Sequence, residues 1–137
     1  MTDTAMDSTL LDEWLAELVR RRWTFHYVPN RSAPEAIAAV LKWDGAGLAD
    51  VIVILHESYA WGYRVLLSTI DADPFAPEFL VYSCEDTPVR TIRAVLTIPP
   101  PGDPNASTVI DAATTEEQKI AAKFLGRRVI RPPQGGA

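Results

Sequence analysis

Apolar positions along the chain recur with two periods, one near 3.6 residues and one near two, and each change of period marks a change of element. Leu10, Leu11, Trp14, Leu15, Leu18 and Val19 fall at i, i+1, i+4, i+5, i+8 and i+9, a continuous stripe down one side of a helix. That helix is expected to start at Asp7 or Ser8. Asp12 and Glu13 stand early in it and Arg20, Arg21 and Arg22 in its last turn, each sign matched to the helix dipole. The next segment, WTFHYV at 23–28, switches to period two, with Trp23, Phe25 and Tyr27 on one face and Thr24, His26 and Val28 on the other. It reads as a strand. Ser32 is followed three residues later by Glu35, a capping-box spacing, and Pro34 suits a first helical turn. Residues 33–43 therefore read as a second helix with Ile37, Val40 and Leu41 on one side, stopped by Asp44-Gly45.

The most apolar part of the chain is VIVILHESYAWGYRVLLSTI, residues 51–70. As one strand it would span roughly 66 Å at about 3.3 Å per residue. A compact chain of this length has a radius of gyration near 14 Å, about a fifth of that span. The segment must fold back, and its least apolar point is His56-Glu57-Ser58. The expectation is a hairpin with strands near 50–55 and 60–68. No Asn-Gly or Gly-Gly pair marks a two-residue turn, so a longer or bulged connection is predicted. Gly62, inside the returning strand, suits a bulge or the close approach of another backbone. A proline-punctuated turn over 71–77 leads to a third strand of the meander, EFLVYSC at 78–84.

Residues 87–97 are strand-like in composition but helical in spacing. Thr87 or Asp86 can cap them, Pro88 suits the first position, and Val89, Ile92, Val95 and Leu96 share one helical face, so a helix is predicted. The run Pro99-Pro100-Pro101-Gly102 forbids its continuation. Residues 99–112 read as a loop. A last helix, starting at Thr114 or Thr115 and ending at Gly126, has Ile120, Ala121, Phe124 and Leu125 on a narrow apolar face. The result is a single α+β domain over 7–126 with flexible termini at 1–6 and 127–137. Its order is α-β-α-β-β-β-α-α, a mixed, mostly antiparallel four-stranded sheet packed by helices. The first two strands would run parallel if they are neighbours joined through the intervening helix.

At 137 residues the chain suffices for one core. The charged fraction of 23% and the hydrophobic fraction of 47% are those of an ordinary folded protein. A single cysteine excludes an internal disulfide and any cysteine-only metal cluster. A net charge of −5 argues against general nucleic-acid binding, which needs a basic face to displace phosphate counterions. No apolar run approaches the ~18 residues of a membrane span and no leader pattern is seen, so a cytoplasmic protein without membrane contact is expected. No motif implies a cofactor or a metal.

The candidate chemistry is sparse. His56 beside Glu57 could act as general base or metal ligand with His26 approaching, but a solvated hairpin tip is the favoured explanation of the pair. Cys84, ahead of a helix start, could be a nucleophile; the adjacent Glu85 and Asp86 oppose that by raising a thiol's pKa, and a small buried hydrophobe is the commoner role. Asp71 and Asp73 lack the rest of a calcium loop and fit turn chemistry. The arginines at 20–22 and 127–128 read most simply as helix C-terminal charge, with anion binding as the alternative. The aromatics stand out more. Trp23 and Tyr27 share a face of the first strand, and Tyr59, Trp61 and Tyr63 share a face of the hairpin's second arm. Such residues form a core or, if exposed, an interface or the wall of a pocket. The expected function is an interaction or accessory module, homo-oligomeric, using this aromatic face. The alternative is a small enzyme or ligand-binding protein with its pocket near His56.

Overall fold

The first stripe does form a helix, and a longer one than its apolar positions require: α1 spans Asp3–Arg20, starting four residues before Asp7. The computed structural model describes residues 3–28, 36–67, 72–114 and 116. Leu11, Trp14, Leu15 and Leu18 turn inward, while Leu10 and Val19, on the flanks of the stripe, stay exposed. The strands that follow are β1 (Thr24–Val28), β2 (Ala36–Trp43), β3 (Leu48–His56), β4 (Tyr59–Leu66) and β5 (Phe79–Asp86). Helix α2 (Pro88–Leu96) comes next, and a two-residue strand, β6 (Asp111–Ala112), closes the described order. All six strands belong to one sheet whose spatial order is the chain order, β1-β2-β3-β4-β5-β6. Every pair is antiparallel.

The α+β class and the meander are as expected; three details differ. Residues 36–43 are a strand rather than part of a helix, so the parallel crossover does not exist and the sheet is wholly antiparallel. The reason lies in alanine. Ala36, Ala38 and Val40 face one side of the sheet and Ile37, Ala39 and Leu41 the other, and both sides are packed. A strand buried on both faces has no polar alternation to display, and alanine suits a helix equally well. Ile37, Val40 and Leu41 then imitate a helical stripe by chance of spacing. Residues 111 and 112, assigned to a loop, pair with Leu80 and Phe79 and add the sixth strand. The expected helix to Gly126, the tail at 127–137 and the Ser32–Glu35 cap lie outside the described residues, apart from Thr114 and Glu116.

The hairpin of β3 and β4 turns at Glu57-Ser58, with a register shift between Ile54 and His56 that gives the expected bulge. Glycine 62 answers its own question. A Cβ there would lie 2.5 Å from Val95 Cγ2 and 2.9 Å from Thr91 Cγ2, so α2 rests on β4 where no side chain intervenes. Helix 87–97 is also as expected, with Pro88 opening it and Thr91, Ile92 and Val95 buried.

The sheet therefore has a helical face and an aromatic face. On the helical face, Ala39, Ile52, Ile54 and Ala60 pack against Leu18 of α1 and Ile92 and Val95 of α2. On the aromatic face, Val51, Val53, Trp61, Tyr63 and Val65 pack with Phe75 from the 72–78 connection, Leu80 and Ala113. One ion pair is buried on the helical face. Arg64 Nε donates to Asp50 Oδ1 at 2.6 Å and Arg64 Nη2 to Asp50 Oδ2 at 3.0 Å, across directly opposed positions of β3 and β4. Trp43 Nε1 donates to the same carboxylate at 2.9 Å, and Arg64 Nη1 reaches the Pro99 carbonyl at 2.8 Å. A buried pair offsets its desolvation only when its remaining polar positions are filled in this way.

Candidate functional site

His56 and Glu57 occupy the tip of the β3–β4 hairpin and both are exposed. Ser58 folds back on the histidine, its N–H donating to Nδ1 at 3.2 Å and its hydroxyl lying 3.0 Å from the same atom. That is local turn chemistry. His26 does not approach this tip: it lies in the middle of β1, opposite Ala38. Among the described residues, no three His, Cys, Asp or Glu side chains gather as a metal set.

Trp61 and Tyr63 have no exposed surface at all. Their rings lie 4.2 Å apart between centroids, and their polar ends are satisfied inside the fold. Trp61 Nε1 donates to Ser83 Oγ at 2.9 Å, and the Tyr63 hydroxyl donates to the Pro74 carbonyl at 2.7 Å. These side chains hold β4 to β5 and to the 72–78 connection, and leave no surface for a partner. Trp23 is buried too, beneath α1 on the helical face, while Tyr27 and Tyr59 are half-buried. Burial, and then the neighbouring Glu85, push the Tyr59 hydroxyl well above the usual phenol range. Cys84 is half-buried on the helical face among apolar neighbours. It contacts Tyr82, whose hydroxyl is raised above the phenol range by burial first and by that cysteine second.

A cleft opens elsewhere, beside β1. It has a volume of about 550 Å³ and lies on the aromatic side of the β1–β2 pair. Strand alternation supplies one wall: Thr24 and His26 on β1 share a face with Val40 and Lys42 on β2, since Thr24 pairs with Val40 and His26 with Ala38. The 72–78 connection supplies the other, through Asp73, Pro74 and Phe75. That wall is fixed. Asp73 Oδ1 accepts the Phe75 N–H at 2.9 Å, Pro74 is held by Tyr63, and Phe75 meets the His26 ring edge-on at 5.0 Å between centroids. Arg22, Leu41 and Asp44 complete the lining.

Arg22 reaches the cleft through an unusual backbone. Helix α1 ends with the Trp23 N–H on the Leu18 carbonyl and the Arg22 N–H on the Val19 carbonyl, the two bonds of a Schellman ending. The motif requires a left-handed residue between helix and strand, and Arg22 provides it at φ 70°. Glycine is the usual occupant, because a left-handed backbone costs an L side chain about 1–2 kcal/mol. Among the described residues Arg22 is alone in having a positive φ without being glycine. The three arginines of this turn thus divide. Arg20 and Arg21 both bind Glu17, the latter at 2.7 Å, and hold its carboxyl below the ordinary range. Arg22 faces the cleft.

The ion pair at the sheet centre and the cleft were both missed from sequence. The pair had a signal: Asp50 and Arg64 are opposite charges, each set inside an apolar run, in the two arms of one hairpin. The cleft had only Arg22, His26 and Asp73, each singled out separately, because its walls come from segments some 30 to 50 residues apart, 22–26 and 40–44 against 73–75. No helix among the described residues is long and apolar enough to cross a membrane. No protein family, curated protein or solved structure matches the chain.

Proposed function

We propose that this chain is a small interaction module that associates with a second copy of itself along the β6 edge of its sheet. The observation that supports it is the gathering of exposed apolar side chains there. Phe79 is 42% exposed, Val109 64% and Ile110 47%. Phe79 pairs with Ala112 of β6, and Val109 and Ile110 immediately precede that strand. Single exposed apolar residues need no explanation, but Phe79 beside the short edge strand and two more leading into it form a patch suited to strand addition. A two-residue strand and three neighbouring apolar side chains fall short of the ~800 Å² per partner of a standard interface, so the association belongs among the weaker ones.

Sedimentation velocity over a concentration series tests it. The wild-type chain should move from monomer towards dimer as concentration rises, and Ile110→Lys should stay monomeric without loss of melting temperature. A wild-type chain that remains monomeric throughout the series would overturn the proposal.

A further inference from the structure

We infer that the cleft between the β1–β2 pair and Phe75 is a binding site for a small organic monoanion, a carboxylate carried on an aromatic or branched apolar body. Arg22 and Lys42 supply the charge. Both line the cleft, at neighbouring ends of β1 and β2, and no carboxylate lies within ion-pair distance of either among the described residues. Val40 and Phe75, each about 95% buried, supply an apolar floor, with the His26 ring held against Phe75. Asp44 and Asp73 belong to the same lining and offset the two cations overall, which disfavours a polyanion, while the paired placement of Arg22 and Lys42 leaves room for one carboxylate.

The backbone of Arg22 is the independent support. A left-handed position at the end of α1 is occupied by arginine where glycine would relieve the strain. Strain of this kind, retained beside a concave surface, is an observed outlier from which a role can be inferred. It also separates the inference from a merely structural reading. Replacing Arg22 should improve the fold while damaging the site, an opposition that a solvated surface arginine would not show.

The test uses benzoate as the probe, with benzamidine as a cation of the same shape and inorganic phosphate as an anion without an apolar body. Binding is followed by amide chemical shifts of the full chain. Benzoate should shift Thr24, Val40 and Phe75 with saturation at millimolar concentrations, and the other two probes should not. Arg22→Gly should raise the melting temperature by about 3 °C. The same substitution should weaken benzoate about 10-fold, and Lys42→Gln should weaken it comparably while leaving the melting temperature unchanged. Absence of benzoate shifts, equal response to benzamidine, or unchanged affinity in both variants would each overturn the inference. Its failure leaves the β6-edge proposal untouched, because the two surfaces share no residue.

Discussion

The two faces of this sheet solve the same problem with opposite materials. Beneath α1 and α2 the sheet offers small residues, Ala39, Ala60 and Gly62, and over Gly62 the Val95 and Thr91 side chains of α2 already fill the space. On the other face β4 presents Trp61 and Tyr63, and a connecting segment is what they meet at Pro74 and Phe75. A helix brings its own hydrogen bonds to the surface it covers. A connection does not, and here tyrosine completes one of its backbone groups, the Pro74 carbonyl. Small side chains permit close approach; large amphipathic ones bridge a gap and satisfy the polar groups at its far side.

Neighbouring residues on β4 put this contrast to the test. The largest effect is expected from Trp61→Ala, which removes a fully buried indole and leaves Ser83 Oγ without its donor; it should cost about 3–5 kcal/mol in urea denaturation. Arg64→Ala should cost a similar 3–5 kcal/mol by stranding the buried Asp50 carboxylate, with the distinguishing mark that adding Asp50→Ala recovers part of the loss. A double variant no more stable than Arg64→Ala would place the role of Arg64 in packing alone. Gly62→Ala adds a single methyl against Val95 and Thr91 and should cost about 1–3 kcal/mol; an unchanged urea midpoint would mean that α2 can lift freely. Thr91→Val is expected to go the other way. Among the described residues the Thr91 hydroxyl is buried without a hydrogen-bond partner, and an isosteric methyl should gain about 1 kcal/mol.

The smallest effect concerns Tyr59 at the wet end of the aromatic face. Its hydroxyl titrates above the normal value in the folded chain, so its contribution is fully present below the unfolded pKa of about 10. As pH rises past that value the unfolded state releases its proton first, and the contribution is lost progressively up to the folded pKa. The stability difference between wild type and Tyr59→Phe should therefore shift against the wild type between about pH 9 and 11. A constant difference would put the Tyr59 hydroxyl in free solvent.

What the sequence disclosed follows the same division. Helices α1 and α2 were legible because each has one wet side, so the stripes at Leu11–Leu18 and Ile92–Val95 stand out against polar neighbours. The β3–β4 hairpin was legible from length alone, and Gly62 from the oddity of a glycine between Trp61 and Tyr63. Strand β2 was not, since alanines buried on both of its faces erase the alternation that identifies a strand. The aromatics were recognised as a shared face, but Ser83 and Pro74, which receive their polar ends, lie 22 and 11 residues away and carry no mark of that role. Without those acceptors, tryptophan and tyrosine in alternation suggest a half-wet surface. The cleft shows the same limit, its two walls meeting only through the tertiary fold.

The strand order also has a kinetic consequence. Because β1 to β5 follow one another in space as in sequence, each pairing closes only the short connection before it, the least costly order in chain entropy. The exception is β6, which returns to β5 only after α2 and the 97–110 segment have been laid down. Assembly can therefore proceed hairpin by hairpin from the centre outward, with β6 the natural last step. Refolding followed by pulsed hydrogen exchange should protect the amides of β3 and β4 before those of 111–113, and the edge that finishes last is the one at which Val109 and Ile110 remain open to solvent.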